Sequence, residues 1–473
     1  MIRRVCLGVF LAGCVQQTPE PVAPPLDTPK PLPASVEPVF QASDDPYAGM
    51  LCYYGDTHFH SGYSADNKGD GPPLDAWKSA LARTPEAASH LGPWLGGYFL
   101  FVTDHVKYTK TRADMDEGLF QKLRAQSDDP SVDRKGPDFT FTAFAGAEMT
   151  GLRRGGDYPY FDDKFGHLNF FLMDTIAPYV ETDLTFNQAG EAVMDRFAAD
   201  PRHLGQFNHP GYGEEPRTGD DSHHLYPYTR QRDRVFRFIE VNDDHPKHWE
   251  KGVSQYNLCL RRGYHVSPVV GTDIHNTEAG LTGQARTVFW APSTLGQSLV
   301  QRRAVLMSAA RAGRVYATEN QTLRLQWSLD GYPMGARVQR RDDGATQAGG
   351  VWAAGGVARR LRWSRGGYPM GSRVQRRDEG VIQVSASCAN GVISRVEVAA
   401  DRKPEVHEDK IDHELQCTRV LAHWKAGLNE FRGSQKVKLR GVHYLYVRLW
   451  IETGERAVTA PIYLESPATG SKP

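Results

Sequence analysis

The chain has 473 residues and balances 56 lysines and arginines against 56 aspartates and glutamates. Balanced charge gives no electrostatic case for nucleic acid or an anionic polymer as a partner. No apolar run is long enough to span a bilayer as a helix, whereas the length permits two or three domains with a substantial core.

The N-terminus differs from the rest. Arg3-Arg4 form a basic head, Val5 to Ala12 a brief apolar stretch, and Leu11-Ala12-Gly13-Cys14 closes it with small residues before a cysteine. That tetrapeptide resembles the bacterial lipobox, which implies a signal peptide over 1–13 and lipidation of Cys14; the plainer alternative is an ordinary signal peptide with an incidental cysteine. Val15, rather than Asp, follows the cysteine, and by resemblance to the usual sorting signal this favours the outer membrane, on its periplasmic or surface face. Residues 14–45 are rich in Pro, Thr, Ala and Val without periodicity, the composition of an extended tether. Beyond Cys6 and Cys14 the cysteines are Cys52, Cys259, Cys388 and Cys417. An even number permits disulfides in an exported protein, and Cys388 with Cys417 is the expected pair, since both fall in the C-terminal region.

From residue 46 to 318, short apolar runs alternate with helix-like stretches. The runs begin at Met50, Tyr98, Phe139, Leu168, Leu204, Val235 and Val266; helices are expected over 74–82, 187–198 and 253–262. Such alternation argues for an α/β fold built on a parallel sheet, with ligands at the carboxyl ends of the strands. Polar residues gather at those ends. The first run leads into His58-Phe59-His60, whose imidazoles share one side of an extended backbone and can reach one ion together. Then come Thr103-Asp104-His105, Gly146-Ala147-Glu148, Asn208-His209-Pro210 and Gly271-Thr272-Asp273-Ile274-His275; Gly166-His167 is the exception, because it opens a run instead of closing one. A single strand-end Asp or His often does no more than cap a turn. Six such clusters in one region argue for a metal site.

In this order the motifs HxH, TDH, GxE, GHxN, NHP and GTDxH resemble the polymerase-and-histidinol-phosphatase (PHP) superfamily of metallohydrolases, and within it the carbaryl-hydrolase-like (CehA/McbA) branch. The match runs from Tyr54 to Asn276. The resemblance implies a distorted (β/α)7 barrel holding two or three divalent ions (Zn, Mn or Fe). One ion would be held by His58, His60, Glu148 and Asp273. A second would share Glu148 and add His167 and His209, and a third would use Asp66, His105 and His275. Some relatives have His where this chain has Asp66, so the third site is harder and more anionic. Glu148, Asp273 and His275 are the residues expected at the reaction centre. Asp104 is expected to orient His105, and Asn169 and Asn208 to serve packing or hydrogen bonding. The chemistry so implied is hydrolysis of a small-molecule substrate by a hydroxide shared between two cations, at a phosphoester or at a carboxylic or carbamic ester.

Two loops offer substrate contacts. Arg153-Arg154 could grip a phosphate or carboxylate, or be a solvated basic loop. His245 or His248 could protonate a leaving group, or be surface histidines. No GxSxG elbow and no Gly-rich phosphate loop is present. A helix is expected within 294–312, closed by Gly313. From 319 to 473, alternation in Val392–Val398 and Tyr444–Ile451 points to an all-β, sandwich-like domain. Inside it, Leu325–Gly344 and Leu361–Gly380 are identical at 15 of 20 positions, at a spacing of 36; a local duplication explains two copies better than a repeat array does. The competing functional class is a non-catalytic surface lipoprotein, with the β domain as its binding element.

Overall fold

The apolar runs that alternate with helices form a ring of strands. In the computed structural model these are β1 (Met50–Asp56), β2 (Leu95–Val102), β3 (Thr140–Met149), β4 (Leu168–Phe171), β5 (Leu204–Phe207), β6 (Phe236–Asn242) and β7 (Ser267–Val270). The structure describes residues 45–64, 67, 70–88, 92–106, 115–134, 138–149, 166–176, 186–210, 227–242, 248–277, 281, 285–340, 345–348, 374–375, 379–401 and 418–465, all within the unit Ala34–Pro473. Strands β1, β2 and β3 pair in parallel, as do β5, β6 and β7. The ring closes just beyond β1 and β7, where Asp273 N donates to His58 O and His60 N to Ile274 O, both at 3.0 Å. Below that closure β8 (Arg286–Pro292) wedges antiparallel against β1, followed by β9 (Val315–Thr318). Thr287 Oγ1 of β8 fills the split, accepting from Val270 N at 2.7 Å and donating to Val270 O at 2.9 Å.

This is the expected mixed α/β architecture with one reversal. β4 runs antiparallel to both β3 and β5. Its amino end therefore lies beside the carboxyl ends of its neighbours, which is why His167 opens a strand while the other site residues close theirs.

Helices α1 (Pro73–Ala88), α2 (Glu117–Ser127), α3 (Phe186–Ala198), α4 (Arg230–Val235), α5 (Trp249–Arg261) and α6 (Leu299–Arg311) connect the strands. α6 begins with a capping box between Ser298 and Gln301, which satisfies otherwise unpaired backbone donors. It ends before Gly313, whose φ of +64° is the left-handed conformation expected of a C-terminal cap. α6 contributes Leu306 and Met307 to an aromatic cluster drawn from β2, β3, β4, β6 and β8. There Phe101 stacks on Phe144 at 4.2 Å and Phe99 on Phe289 at 4.5 Å, contacts that stiffen one side of the ring. No described helix is long and apolar enough to cross a membrane.

After β9 the chain is β-rich. Strands Leu323–Leu329, Tyr332–Pro333, Glu379–Cys388 and Glu430–Lys438 make a separate four-stranded antiparallel sheet. Strands Ile393–Asp401, Thr418–Leu428, Tyr444–Ile451 and Arg456–Thr459 join the larger sheet instead, through Ala457 opposite Thr318 of β9. Hydrogen bonding therefore crosses the 318/319 boundary without a break. Cys388 departs from expectation: it carries a free, buried thiol that donates to Asn390 Oδ1 at 3.6 Å, and the expected partner Cys417 lies outside the described residues.

The first copy of the duplication supplies Leu325, Trp327 and Leu329 to the core and the strand Arg337–Arg340 beside Ile462–Glu465. The second has Arg365 where the first has buried Leu329, so the first copy is the better core former. Deleting 345–380 joins Gly344 to Val381 and keeps that copy whole. Soluble yield and the thermal midpoint should stay close to those of the parent; collapse of either would show that the second copy is structural.

Candidate metal centre

Three groups of ligand-type side chains converge at the rim formed by the strand ends: His58, His60, Glu148 and Asp273; Glu148, His167 and His209; and His60, His105 and His275. The first two groups join the residues expected to share ions. In the third, His60 stands with His105 and His275; Asp66 lies outside the described residues, as do Arg153, Arg154, His245 and Cys14. His248 occupies the N-cap position of α5.

The first group is the most enclosed. His58, His60 and Glu148 have fully buried side chains, and Asp273 is one-third exposed although its Oδ1 is sealed. His58 Nε2 lies 3.1 Å from His60 Nε2, 3.3 Å from Glu148 Oε1 and 3.3 Å from Asp273 Oδ1. His60 Nε2 is 3.4 Å from Glu148 Oε2 and 2.9 Å from Asp273 Oδ1. Ligands held about 2.1 Å from one ion at tetrahedral angles stand about 3.4 Å apart, so these atoms outline a coordination shell. In the second group Glu148 Oε1 is 3.0 Å from His167 Nδ1 and 3.5 Å from His209 Nε2. In the third, the His60 ring stacks on that of His275 at 4.1 Å and lies 4.5 Å from that of His105, while His105 Nδ1 approaches Glu148 Oε2 at 2.7 Å.

The residues fit cations. Glu148 Oε2 and Asp273 Oδ1 are buried yet accept no hydrogen bond of acceptable geometry, although such atoms are rarely left unsatisfied in a folded protein. Burial opposes charge on His58, but Glu148, Glu240 and Asp273 outweigh it and hold the imidazole well above its ordinary pKa. Burial likewise opposes ionisation of Glu148, and His105, His58 and His167 outweigh it, so the carboxyl sits well below the usual range. Burial is again overcome at Asp273, by His58 and His60. The cluster is thus an array of carboxylates that retain their charge only with positive partners.

Surrounding groups aim the ligands. His58 Nδ1 meets Glu240 Oε1 at 2.7 Å, His60 Nδ1 meets Ser64 Oγ at 2.8 Å, and His275 Nδ1 meets Asp273 O at 2.8 Å. Engaging Nδ1 leaves Nε2 of each ring for the centre. Asp104 acts elsewhere than expected: its carboxylate accepts from Ser61 N and Ser61 Oγ at 2.6 Å and from Ser64 Oγ at 2.9 Å. It steadies His60 through Ser64, because adjacent residues on an extended chain face opposite ways and Asp104 cannot turn back onto His105. Asn208 Nδ2 donates to Glu148 Oε1 at 2.9 Å, and Asn169 Nδ2 to Thr57 O at 3.2 Å, the hydrogen-bonding roles expected of them.

Asp273 and His209 adopt φ of +53° and +26°, the left-handed region that non-glycine residues rarely enter. Two of the ligand-type residues are therefore held in strained backbone.

Sequence reasoning passed over Glu240, Gln206, Asp56 and Thr272. Glu240 is fully buried and takes bonds from Gln206 Nε2 at 2.6 Å and His209 N at 2.5 Å besides that of His58. Asp56 accepts from His58 N at 2.9 Å and Thr272 N at 3.1 Å, and burial pushes its carboxyl up to about 6. The available signal was a carboxylate inside or at the end of an otherwise apolar strand, which β1 and β6 both show. Gly271 makes room for this layer, because a β-carbon there would overlap Glu240 Oε1 and His58 Cβ.

The chain matches no protein-family model and no curated protein sequence. Among solved structures it is similar to PsfC from Pseudomonas syringae PB-5123, with 17% identity and a TM-score of 0.32, over 53% of this chain and 87% of that one. On the geometry alone, buried histidines and carboxylates at the rim of a mixed α/β fold form a centre suited to several metal ions.

Proposed function

We propose that the protein is a metal-dependent hydrolase of the PHP type, resembling the carbaryl-hydrolase-like branch, acting on small phosphoesters or on carboxylic or carbamic esters. The observation that carries this reading is Glu148, fully buried and common to two ligand groups, as a carboxylate bridging two ions must be. When bound, divalent ions would lower the pKa of a water toward neutrality and stabilise negative charge growing on the substrate. The chain itself supplies orientation and access. Glu240, Ser64 and the Asp273 carbonyl fix the imidazoles of His58, His60 and His275. His167, His209, His275 and Asp273 are 23%, 22%, 32% and 33% exposed, against 0% for His58 and His60, so substrate approaches past these four side chains.

Initial rates after Mn or Zn reconstitution, measured on para-nitrophenyl phosphate, its diester and para-nitrophenyl acetate, test the proposal. Chelator-sensitive phosphate release assigns a phosphoesterase and makes Arg153 and Arg154 the next residues to replace. Chelator-sensitive acetate release with silent phosphates assigns an ester or carbamate hydrolase. Background rates on all three, with metal bound, favour the non-catalytic lipoprotein.

We further propose that lipidated Cys14 holds the enzyme at the outer membrane through the Pro-rich tether. Wild type should partition into detergent and Cys14→Ser into the aqueous phase; equal partitioning would remove the anchor from the account.

A further inference from the structure

We infer that the protein carries a second, non-catalytic ligand site, for a neutral polyhydroxylated ring such as a pyranose, in the cleft between the barrel and the four-stranded sheet. The cleft holds a cavity of about 190 Å³ that opens to solvent, room for one ring of that size. Its walls come from both parts of the fold: Trp94 from the turn before β2, Arg324 from the strand after β9, Ser387 from the strand Glu379–Cys388, and Asn429 and Glu430 from the start of the last strand of that sheet.

Trp94 is 45% exposed, which places a large flat apolar group at the mouth of the cavity. The Arg324 guanidinium lies 3.5 Å from the centre of its ring and 5.3 Å from that of Trp290, within cation–π range of both. Among the described residues that guanidinium has one hydrogen bond, to Gln326 Oε1 at 3.2 Å, and no carboxylate in ion-pairing range. Glu430 is exposed, and among the described residues no cation pairs with it.

These walls select a ligand by its chemistry. A bare anion meets Glu430, and a bare cation meets Arg324. Tyr54, Cys388 and Ala389 add apolar wall beside the indole, among polar groups that a pure lipophile would leave unpaired. A vicinal diol can donate to the carboxylate and accept from the guanidinium at once, with its ring beside the part of the indole that Arg324 leaves exposed. Glu430 is exposed and Arg324 half-buried, so solvent screens both and little is gained from charge on the ligand.

The site is separate from the metal centre. Trp94 precedes β2 and His105 follows it, about 26 Å apart along eight strand residues at about 3.3 Å each, and the innermost wall residue, Tyr54, lies four residues short of His58 along β1 and its end, about 13 Å. A ring held there anchors the protein on a glycan and takes no part in hydrolysis.

Ligand-observed saturation-transfer NMR on the full chain tests this, with methyl glucoside, methyl galactoside and methyl N-acetylglucosaminide as probes and glutamate and phosphate as charged controls. We expect transfer to at least one glycoside, with a dissociation constant of about 1 mM or somewhat weaker. Trp94→Ala should weaken it by about tenfold or more, and Glu430→Gln, a surface change that leaves packing alone, should weaken it measurably. Absence of transfer to every glycoside, transfer that survives Trp94→Ala, or binding of glutamate or phosphate in place of the glycosides would each overturn the inference. Metal-dependent turnover of the Glu430→Gln variant should equal that of the parent, which separates this test from that of the hydrolase reading.

Discussion

Glu148→Ala should bind at least one ion fewer than the parent protein and lose turnover by more than the about hundredfold typical of losing only an outer partner of a metal ligand. The expectation follows from position. Glu148 ends the central part of β3 with both oxygens inside the cluster, one facing His58, His167 and His209, the other His60 and His105. Without it the first group keeps His58, His60 and Asp273, and the second keeps two histidines alone. Elemental analysis of the purified variant reads the loss directly and independently of any substrate. A variant with full metal content and full turnover would sink the bridging role. The same measurement on the parent carries a pH signature. In the absence of metal, Glu148, Glu240 and Asp273 favour a proton on His58 against its burial. An ion needs the neutral ring and must displace that proton. Apparent metal affinity should therefore rise with pH and fall in acid; affinity independent of pH would contradict the assignment of His58 as a ligand.

Glu240→Ala should weaken metal binding about 10- to 100-fold although Glu240 touches no expected ion. One fully buried carboxylate holds three groups: the His58 ring, the Gln206 amide and the backbone N–H of His209. Its loss frees a ligand of the first group and relaxes the strained backbone of a ligand in the second. Each buried donor left unpaired costs about 1–3 kcal/mol, so the thermal midpoint should drop as well. Glu240→Gln keeps an acceptor for His58 but turns an amide toward one of the other donors, and should fall between alanine and the parent. Isothermal titration with Zn or Mn on both variants decides it. If Glu240→Ala lowers the midpoint yet binds metal as tightly as the parent, the carboxylate holds the core together without aiming ligands. Gly271→Ala should imitate the loss, because the added methyl takes the space of Glu240 Oε1 and His58 Cβ.

Much of this was legible in the chain order. Apolar runs ending in His, Asp or Glu announce strands whose carboxyl ends meet, because side chains alternate along a strand and parallel strands end on one face. The pairing of His58 with His60 needed nothing beyond that period of two. The stop of α6 at Gly313 was likewise local, decided within a few residues by a left-handed turn.

The tertiary structure alone decided what depends on distant partners. The reversal of β4, which brings His167 to the rim, is a matter of which strands flank it; four apolar residues carry no direction. Asp104 reaches Ser61 and Ser64 across about forty intervening positions instead of its neighbour His105. Cys388 settles against Asn390 and Thr322 as a free thiol, since the strand that ends there points it inward. Glu240 reads as one acidic residue in an apolar strand until folding sets it behind His58, which lies 182 positions earlier in the chain. The ligand types and the strand ends that carry them follow from residue order and strand period. Only the fold, by packing those ends around one buried carboxylate, decided which of them share an ion and which residues hold them there.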